Sequence, residues 1–234
     1  MPADFSQRMT NCFKAFRVFA LEPARMKERV DGRGVTELNR DGSNLTGALT
    51  YLRDRDEDSY NYLRSELQRW VPEFDSIGFE TDQNGYRALN LRQKKTQKAI
   101  PAPELSEGTL LALALLTIVY QGGIPTLVGL EEPDRGLHPR LLREVRDALY
   151  RLSFPRQFQL NRPPVQVITT THSPHFLDLF REHPDQVIVA EKLEDSTASF
   201  KSLAEDKELR EMIGDAPLGE VWYSGVLGGV PALR

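Results

Sequence analysis

The segment PTLVGLEEP, residues 125–133, decides the fold because its short apolar run is followed directly by Glu131 and Glu132. A second segment, VQVITTTHSP at residues 165–174, has the same design and leads into His172. Apolar runs of this kind between helical segments predict parallel strands that are covered on both faces. Ligand sites in such sheets lie at the carboxyl ends of the strands, so the two acids and the histidine are expected to meet there.

The segments around these two runs predict helices, so the region from residue 104 to residue 234 is expected to alternate helix and strand. The predicted order is a helix over 106–120, a strand over 126–130, a helix over 139–152, a strand over 165–171, a helix from Pro174, and a closing hairpin of 187–190 with 199–203. We therefore predict an α/β fold in which a mostly parallel sheet is flanked by helices.

Residues 1–103 predict an α+β region that precedes this sheet. The expected elements are a strand over 16–21, helices over 44–53 and 58–70, and strands over 74–81 and 86–91. The last two strands are separated by Asp82-Gln83-Asn84-Gly85, and Asn-Gly is a strong hairpin signal because both residue types tolerate positive φ. The basic segment RQKKTQK, residues 92–98, follows and is expected to be extended.

Composition limits the function further. The 234 residues are 40% hydrophobic, which is enough for a packed core, and a net charge of -4 gives no global attraction to nucleic acid. Cys12 is the single cysteine, so an internal disulfide and a cysteine metal site are excluded. The apolar stretch 110–120 is too short to cross a bilayer, and the N-terminus has no signal-peptide core. We expect a cytoplasmic protein without a membrane partner.

The two adjacent acids suit nucleotide hydrolysis. Such a reaction requires one carboxylate near Mg²⁺ and another that orients water against the γ-phosphate. Adjacent side chains at a strand end point to opposite sides, so we assign Glu131 to the metal and Glu132 to the water. The alternative is a pair of solvated acids in a loop, and the Glu-Glu-Pro sequence by itself favours that alternative.

The histidine that ends the second run suits the same reaction. His172 precedes Ser173 and Pro174, which form a good helix start with serine as the cap and proline at the first helical position. An imidazole at this point can donate a hydrogen bond to a γ-phosphate oxygen. The alternative is a histidine that only supports the turn, and the spacing of the two strand ends favours the catalytic role.

The start of the helix over 106–120 is a candidate phosphate site. Its first residues are Ser106, Glu107, Gly108 and Thr109. Exposed amides, a hydroxyl and a glycine at a helix N-terminus bind phosphate well. An ordinary capped helix explains this segment equally well.

Taken in order, these motifs resemble the C-terminal lobe of an ATP-binding-cassette-type ATPase, and most closely the predicted ATPases of the RecF, SMC and OLD-like group. The segments that carry the resemblance are a signature loop at 105–109, a Walker B strand at 127–132, a D-loop at 131–139, a switch-histidine loop at 170–174, and landmarks at 41–45 and 218–222. Glu131 stands where many relatives have Asp. The Walker A motif G-x-x-x-x-G-K-[ST] is absent from the 234 residues.

The resemblance implies a mechanism in which two ATPase heads, expected to form a homodimer, enclose two ATP molecules with Mg²⁺. In it, Glu131 and Glu132 serve the nucleotide of their own head, and His172 in the switch-histidine loop contacts the γ-phosphate. The residues that would contact nucleotide from the signature loop and the D-loop, the former mainly across the dimer, are Ser106, Glu107, Gly108, Thr109 and Asp134. The Walker A lobe would be a missing part of a longer protein or a separate polypeptide, unless the chain is a degenerate remnant.

Three functions are consistent with the sequence. The first is ATP hydrolysis as part of a DNA-repair or phage-defence machine. DNA is a candidate partner because of the family resemblance and the basic segment 92–98, although such a segment is more often a solvated strand edge. The second is a non-catalytic regulatory module that needs a partner ATPase, and the third is an ATPase subunit of a transporter. Without the Walker A lysine and amides, we expect negligible ATPase activity from the isolated chain.

Overall fold

The computed structural model describes residues 15–31, 33–123, 125–193, 195–205 and 216–228, and Cys12 lies outside the described residues. The chain divides into two compact units, the first ending at Thr170 and the second beginning at Thr171.

Both units contain strands and helices. The strands of the described chain are β1 (Phe16–Phe19), β2 (Val30–Asp31), β3 (Phe74–Thr81), β4 (Tyr86–Gln93), β5 (Ala99–Pro101), β6 (Leu127–Leu130), β7 (Gln166–Thr169), β8 (Ile188–Lys192) and β9 (Ala198–Ser202). Its α-helices are α1 (Pro23–Met26), α2 (Leu45–Arg55), α3 (Glu57–Trp70), α4 (Glu107–Tyr120), α5 (Leu142–Ser153), α6 (Pro174–Leu177) and α7 (Leu218–Tyr223).

A parallel three-stranded sheet organises the first unit. Its strand order is β1-β6-β7, and both neighbours of β6 run parallel to it. This sheet and its helices confirm the predicted α/β class. Strand β1 comes from residues 1–103 and pairs with β6, so the two predicted regions share this sheet, and the division at residue 103 stays a prediction.

Helix α4 is the central helix of this unit. Every residue from Thr109 to Tyr120 is buried, and the helix packs against α1, α2, α3 and α5. A helix that is apolar on all sides requires partners on all sides, which is why this segment has no polar stripe. The helix ends at Tyr120, and the next residue, Gln121, is extended.

An antiparallel sheet lies in the same unit. Strands β2, β4 and β3 are adjacent in that order, and β5 pairs with β4. The predicted hairpin between β3 and β4 is confirmed, but only Gly85 in its turn has positive φ, at 86°. The extended backbone expected over residues 92–98 is wrong, because β4 ends at Gln93 and the chain turns at Gln97, with φ of 58°, into β5.

The second unit has a small core of its own. Strands β8 and β9 form the antiparallel hairpin that the sequence predicts. The buried residues of its core are Val187, Leu203, Leu218 and Leu227, with Phe180 and Trp222 packed against them. Among the described helices, none is both long enough and apolar enough to cross a membrane.

Some element ends differ from the sequence prediction. The helix expected from Pro139 begins with a 3-10 turn over Pro139–Leu141, and α5 starts only at Leu142. The strand expected over 165–171 ends at Thr169. Thr170 instead accepts a hydrogen bond from Glu132, so the chain leaves the sheet at the point where the acids begin.

Candidate nucleotide site

The two acids lie at the carboxyl end of the central strand. The backbone N–H of Glu131 donates to the carbonyl of Phe19 at 2.9 Å, and that of Glu132 donates to the carbonyl of Thr170 at 3.1 Å. Consecutive residues are thus bonded to the ends of the two strands that flank β6. The acids are fixed at the middle of the sheet edge where ligands of parallel sheets bind.

Each acid also faces an arginine. An Arg40 nitrogen is 3.8 Å from a carboxylate oxygen of Glu131, and an Arg135 nitrogen is 3.8 Å from one of Glu132. The Glu131 side chain is 57% exposed. Ion pairs at this distance and exposure contribute little to stability, so an incoming cation can displace the arginine from Glu131 at small cost.

Glu132 has an unusual backbone conformation. Its φ is 42°, in the left-handed region that favours glycine. For other residues this conformation costs roughly 1–2 kcal/mol. Such strain is found at functional sites, where the surrounding structure holds the residue in place. The sequence contains no signal for it, because glutamate does not favour positive φ.

The start of α4 is a capped helix. The Ser106 hydroxyl accepts from the Thr109 amide at 3.1 Å and lies 2.8 Å from the Thr109 hydroxyl. Thr109 is only 5% exposed, whereas Glu107 is exposed in the first turn. Ser106 and Thr109 therefore stabilise the helix start, which is the simpler of the two interpretations of this segment. Contact of these four residues with a nucleotide stays a prediction.

The signature segment contacts the D-loop segment within the chain. A methyl group added to Gly108 would lie 3.2 Å from the carbonyl oxygen of Gly136 and 3.5 Å from the side chain of Leu137. Gly136 itself has φ of 72°. The absence of both side chains permits this close approach. Asp134, assigned to the nucleotide from the resemblance, is 8% exposed, so its side chain points into the protein in this structure.

His172 belongs to the second unit. It is exposed, and it precedes a helix start that matches the prediction. Ser173 accepts a hydrogen bond from the Phe176 amide at 3.2 Å, and Pro174 occupies the first helical turn of α6. The local structure around His172 is as expected, and its approach to Glu132 stays a prediction.

Sequence reasoning missed Arg40. Its carbonyl accepts from the amide of Ala20, just after β1, which brings the arginine to the sheet edge beside Glu131. The sequence feature that could have pointed to Arg40 is the neighbouring segment DGSNL, residues 41–45. Its loop is held by a hydrogen bond that the Ser43 amide donates to the Asp41 carboxylate. That bond is the main cause of the lowered pKa of the Asp41 carboxyl.

The acids can bind magnesium only together with phosphate groups of a substrate. Within the described ranges, no three His, Cys, Asp or Glu side chains come together as a metal site. Mg²⁺ is commonly held by one or two carboxylates together with substrate phosphates, rather than by a protein cage. Glu131 at the sheet edge meets that requirement as a single ligand.

Comparison with known proteins gives one family. The model of the family described as "AAA domain, putative AbiEii toxin, Type IV TA system" matches residues 15–178, more than half of the chain. The matched range contains the parallel sheet, both acids and His172. No curated protein matches the chain.

Proposed function

The chain belongs to this AAA-domain family of P-loop ATPases, and from that premise we propose that it is the C-terminal lobe of an ABC-type ATPase head. The head would be of the SMC, RecF and OLD-like group, and it would bind and hydrolyse ATP with Mg²⁺. The observation that carries the proposal is the position of Glu131 and Glu132, bonded to both flanking strands at the ligand edge of the sheet.

Each candidate residue has a role in this proposal. Glu131 holds Mg²⁺, which supplies charge stabilisation to the phosphates when it is bound. Glu132 orients the attacking water and accepts its proton. His172 donates a hydrogen bond to the γ-phosphate. The helix start at Ser106 and Gly108 faces the nucleotide of a second head, and Asp134 in the D-loop contacts nucleotide. DNA repair or phage defence is the proposed setting.

The missing Walker A motif favours a second candidate function. None of the 234 residues forms G-x-x-x-x-G-K-[ST], so the main contacts to the β- and γ-phosphates are not encoded in this chain. A regulatory module without turnover would keep the same acids. The two candidates differ in what happens once a Walker A lobe is supplied.

The test is ATP turnover by the chain with and without a Walker A lobe taken from a complete member of the same family. We expect negligible turnover without the lobe and Mg²⁺-dependent turnover with it. Glu132→Gln should retain ATP binding and lower turnover by roughly two to four orders of magnitude, as for loss of a general base.

The matched control is Glu73→Gln, at an exposed acid in the turn before β3, which should leave turnover unchanged. Unchanged turnover in Glu132→Gln would remove the base assignment. ATP binding without turnover in the supplemented wild-type chain would favour the regulatory module instead.

A further inference from the structure

Arg40 reaches the ligand edge of the parallel sheet from a loop outside the sheet. Its carbonyl accepts from the amide of Ala20, and the carbonyl of the next residue, Asp41, accepts from the amide of Glu22, both at 3.0 Å. Ala20 and Glu22 lie just after β1, which is a neighbour of β6 in the sheet. Two backbone bonds therefore fix the loop against the chain that leaves the carboxyl end of β1.

The loop around Arg40 is also held by its own polar side chains. The backbone N–H of Asn39 donates to the side-chain oxygen of Asn44 at 2.7 Å. The backbone N–H of Ser43 donates to the Asp41 carboxylate at 3.0 Å. Bonds of this kind, from backbone N–H groups to Asn and Asp side chains, stabilise one loop conformation. The backbone of Arg40 is therefore in position before any ligand binds.

The side chain of Arg40 is held much less than its backbone. It is 67% exposed, and its nearest nitrogen lies 3.8 Å from a Glu131 carboxylate oxygen, which is too long for a hydrogen bond. An ion pair of this length and exposure stabilises the fold little. The loop thus combines a fixed backbone with a cation that can rotate, which suits ligand binding better than stability.

The position of the guanidinium suits a phosphate that shares Mg²⁺ with Glu131. Mg²⁺ binds its ligand oxygens octahedrally at about 2.1 Å, so neighbouring ligand oxygens are about 3 Å apart. The Arg40 nitrogen, 3.8 Å from a Glu131 oxygen, lies in a similar range. The guanidinium can therefore reach a phosphate oxygen on the same ion by a side-chain rotation.

The charges at the sheet edge also favour this use of Arg40. Once Glu131 serves Mg²⁺, Arg40 loses the acid that it faces, whereas the triphosphate brings more negative charge than Mg²⁺ neutralises. Arg135 differs, because it lies in the same turn as Glu132 and faces that acid, which is not a metal ligand in the proposed site. A planar guanidinium can bond phosphate through two parallel N–H groups.

We propose that Arg40 is a nucleotide-binding residue of the candidate site. It faces Glu131 while the site is empty, and it donates hydrogen bonds to β- and γ-phosphate oxygens of ATP once Glu131 serves Mg²⁺. The inference rests on the proposed function, since it assigns a further residue to the same site.

The alternative is that Arg40 only neutralises the acid of an empty site. The two roles predict different effects of removing the guanidinium. Loss of a phosphate contact lowers the affinity for nucleotide. Loss of a cation that competes with Mg²⁺ for Glu131 leaves that affinity unchanged or raises it, so the sign of the change decides between the two roles.

The test is calorimetric titration of the chain, supplied with a Walker A lobe, with Mg²⁺ and AMP-PNP. This ATP analogue is not hydrolysed, so affinity is measured apart from activity. Arg40→Met should weaken AMP-PNP binding by roughly tenfold or more, because hydrogen bonds to a charged group are lost. Arg40→Lys should weaken it less, because lysine keeps the charge without the two parallel donors.

Arg33→Met is the matched control. Arg33 is 86% exposed and pairs with Asp31 at 2.8 Å, so it is also an exposed arginine that faces an acid. It follows β2 of the antiparallel sheet rather than a strand of the parallel sheet. This variant should bind AMP-PNP as the wild type does. Both Met variants should keep the thermal midpoint of the wild type, because exposed ion pairs contribute little to stability.

The outcomes separate this proposal from the proposed function. Unchanged or tighter AMP-PNP binding by Arg40→Met, in a supplemented chain whose wild type hydrolyses ATP, would overturn the role of Arg40 and leave the proposed function standing. Equal weakening by Arg33→Met would also overturn it, since the effect would then follow from positive charge in general. If the supplemented wild type binds no AMP-PNP, both the proposed function and the role of Arg40 are wrong. Weaker binding by Arg40→Met alone, with no ATP turnover in the wild type, would support the phosphate contact and favour the regulatory module.

Discussion

Glu132 combines a candidate catalytic carboxylate with a backbone conformation that favours glycine. Its φ of 42° is set by the bonds around it, since its amide donates to Thr170 and its carbonyl accepts from Arg135. A loop selected only for stability would have glycine at this position. The strain therefore supports a functional use of the carboxylate. Its cost can be measured as a change in the free energy of unfolding.

Glu132→Gly should raise the free energy of unfolding by about 0.5–1 kcal/mol, because relief of left-handed strain exceeds the entropic cost of glycine. The same substitution should remove turnover in a chain supplied with a Walker A lobe. Urea unfolding measures the first effect, followed by Trp70 fluorescence in a Trp222→Phe background so that only the first unit is observed.

Glu131→Gly is the matched control, since Glu131 has no positive φ. It should lower the free energy of unfolding by about 0.5–1 kcal/mol through the entropy of glycine alone. Equal destabilisation by both substitutions would show that the Glu132 backbone stores no strain.

At the scale of elements, α4 is stabilised at its end by a residue far along the chain. The Arg162 guanidinium donates to the carbonyl of Val119, in the last turn of α4, and to that of Arg151, in the last turn of α5, at 2.9 Å. A cation at two helix C-termini satisfies carbonyls that have no partner within the helix. Burial lowers the pKa of this guanidinium, which nevertheless remains charged.

Arg162→Met should lower the free energy of unfolding by about 2–4 kcal/mol, since two charge-assisted hydrogen bonds are lost and the helix ends remain partly buried. Arg156→Met, at a nearby exposed arginine, is the control and should change stability by less than about 0.5 kcal/mol. The same tryptophan-based urea measurement applies. A small effect at Arg162 would mean that water replaces its bonds.

The elements differ in how far the sequence predicts them. Helix α4 and strands β3 and β6 follow from local patterns, because their apolar residues and caps are contiguous in the chain. Strand β5 was missed because it is short and exists only through pairing with β4. The bonds of Arg162 to two helix ends join residues up to 43 positions apart, and no local pattern indicates them.

The residues of the candidate site also differ in how far the sequence predicts their positions. The positions of Glu131 and Glu132 follow from one strand and the residues after it, so the sequence predicts them well. The pairing of Arg40 with Glu131 and the close approach of Gly108 to Gly136 arise from chain segments that meet only in the fold. These contacts require the tertiary structure.

At the scale of the whole molecule, the proposed mechanism places two ATP molecules between two heads, each contacted by both heads. This arrangement can be tested by combining two different substitutions in one heterodimer. Ser106→Arg blocks the approach of phosphate to the start of α4 by bulk. Glu131→Ala removes the proposed magnesium ligand. Each variant is prepared with a Walker A lobe supplied, and heterodimers of the two are isolated and confirmed by crosslinking.

The two arrangements predict different activities for this heterodimer. If the signature segment acts on the partner's nucleotide, the Ser106→Arg head caps the site of the Glu131→Ala head, so both lesions fall in one composite site. The other site then has a wild-type Glu131 and a wild-type Ser106, and some ATP turnover remains. If both segments act on the same nucleotide, each site has one lesion and turnover is lost. Complete loss in a confirmed heterodimer would contradict action across the dimer, whereas residual turnover together with inactive Ser106→Arg and Glu131→Ala homodimers would support it.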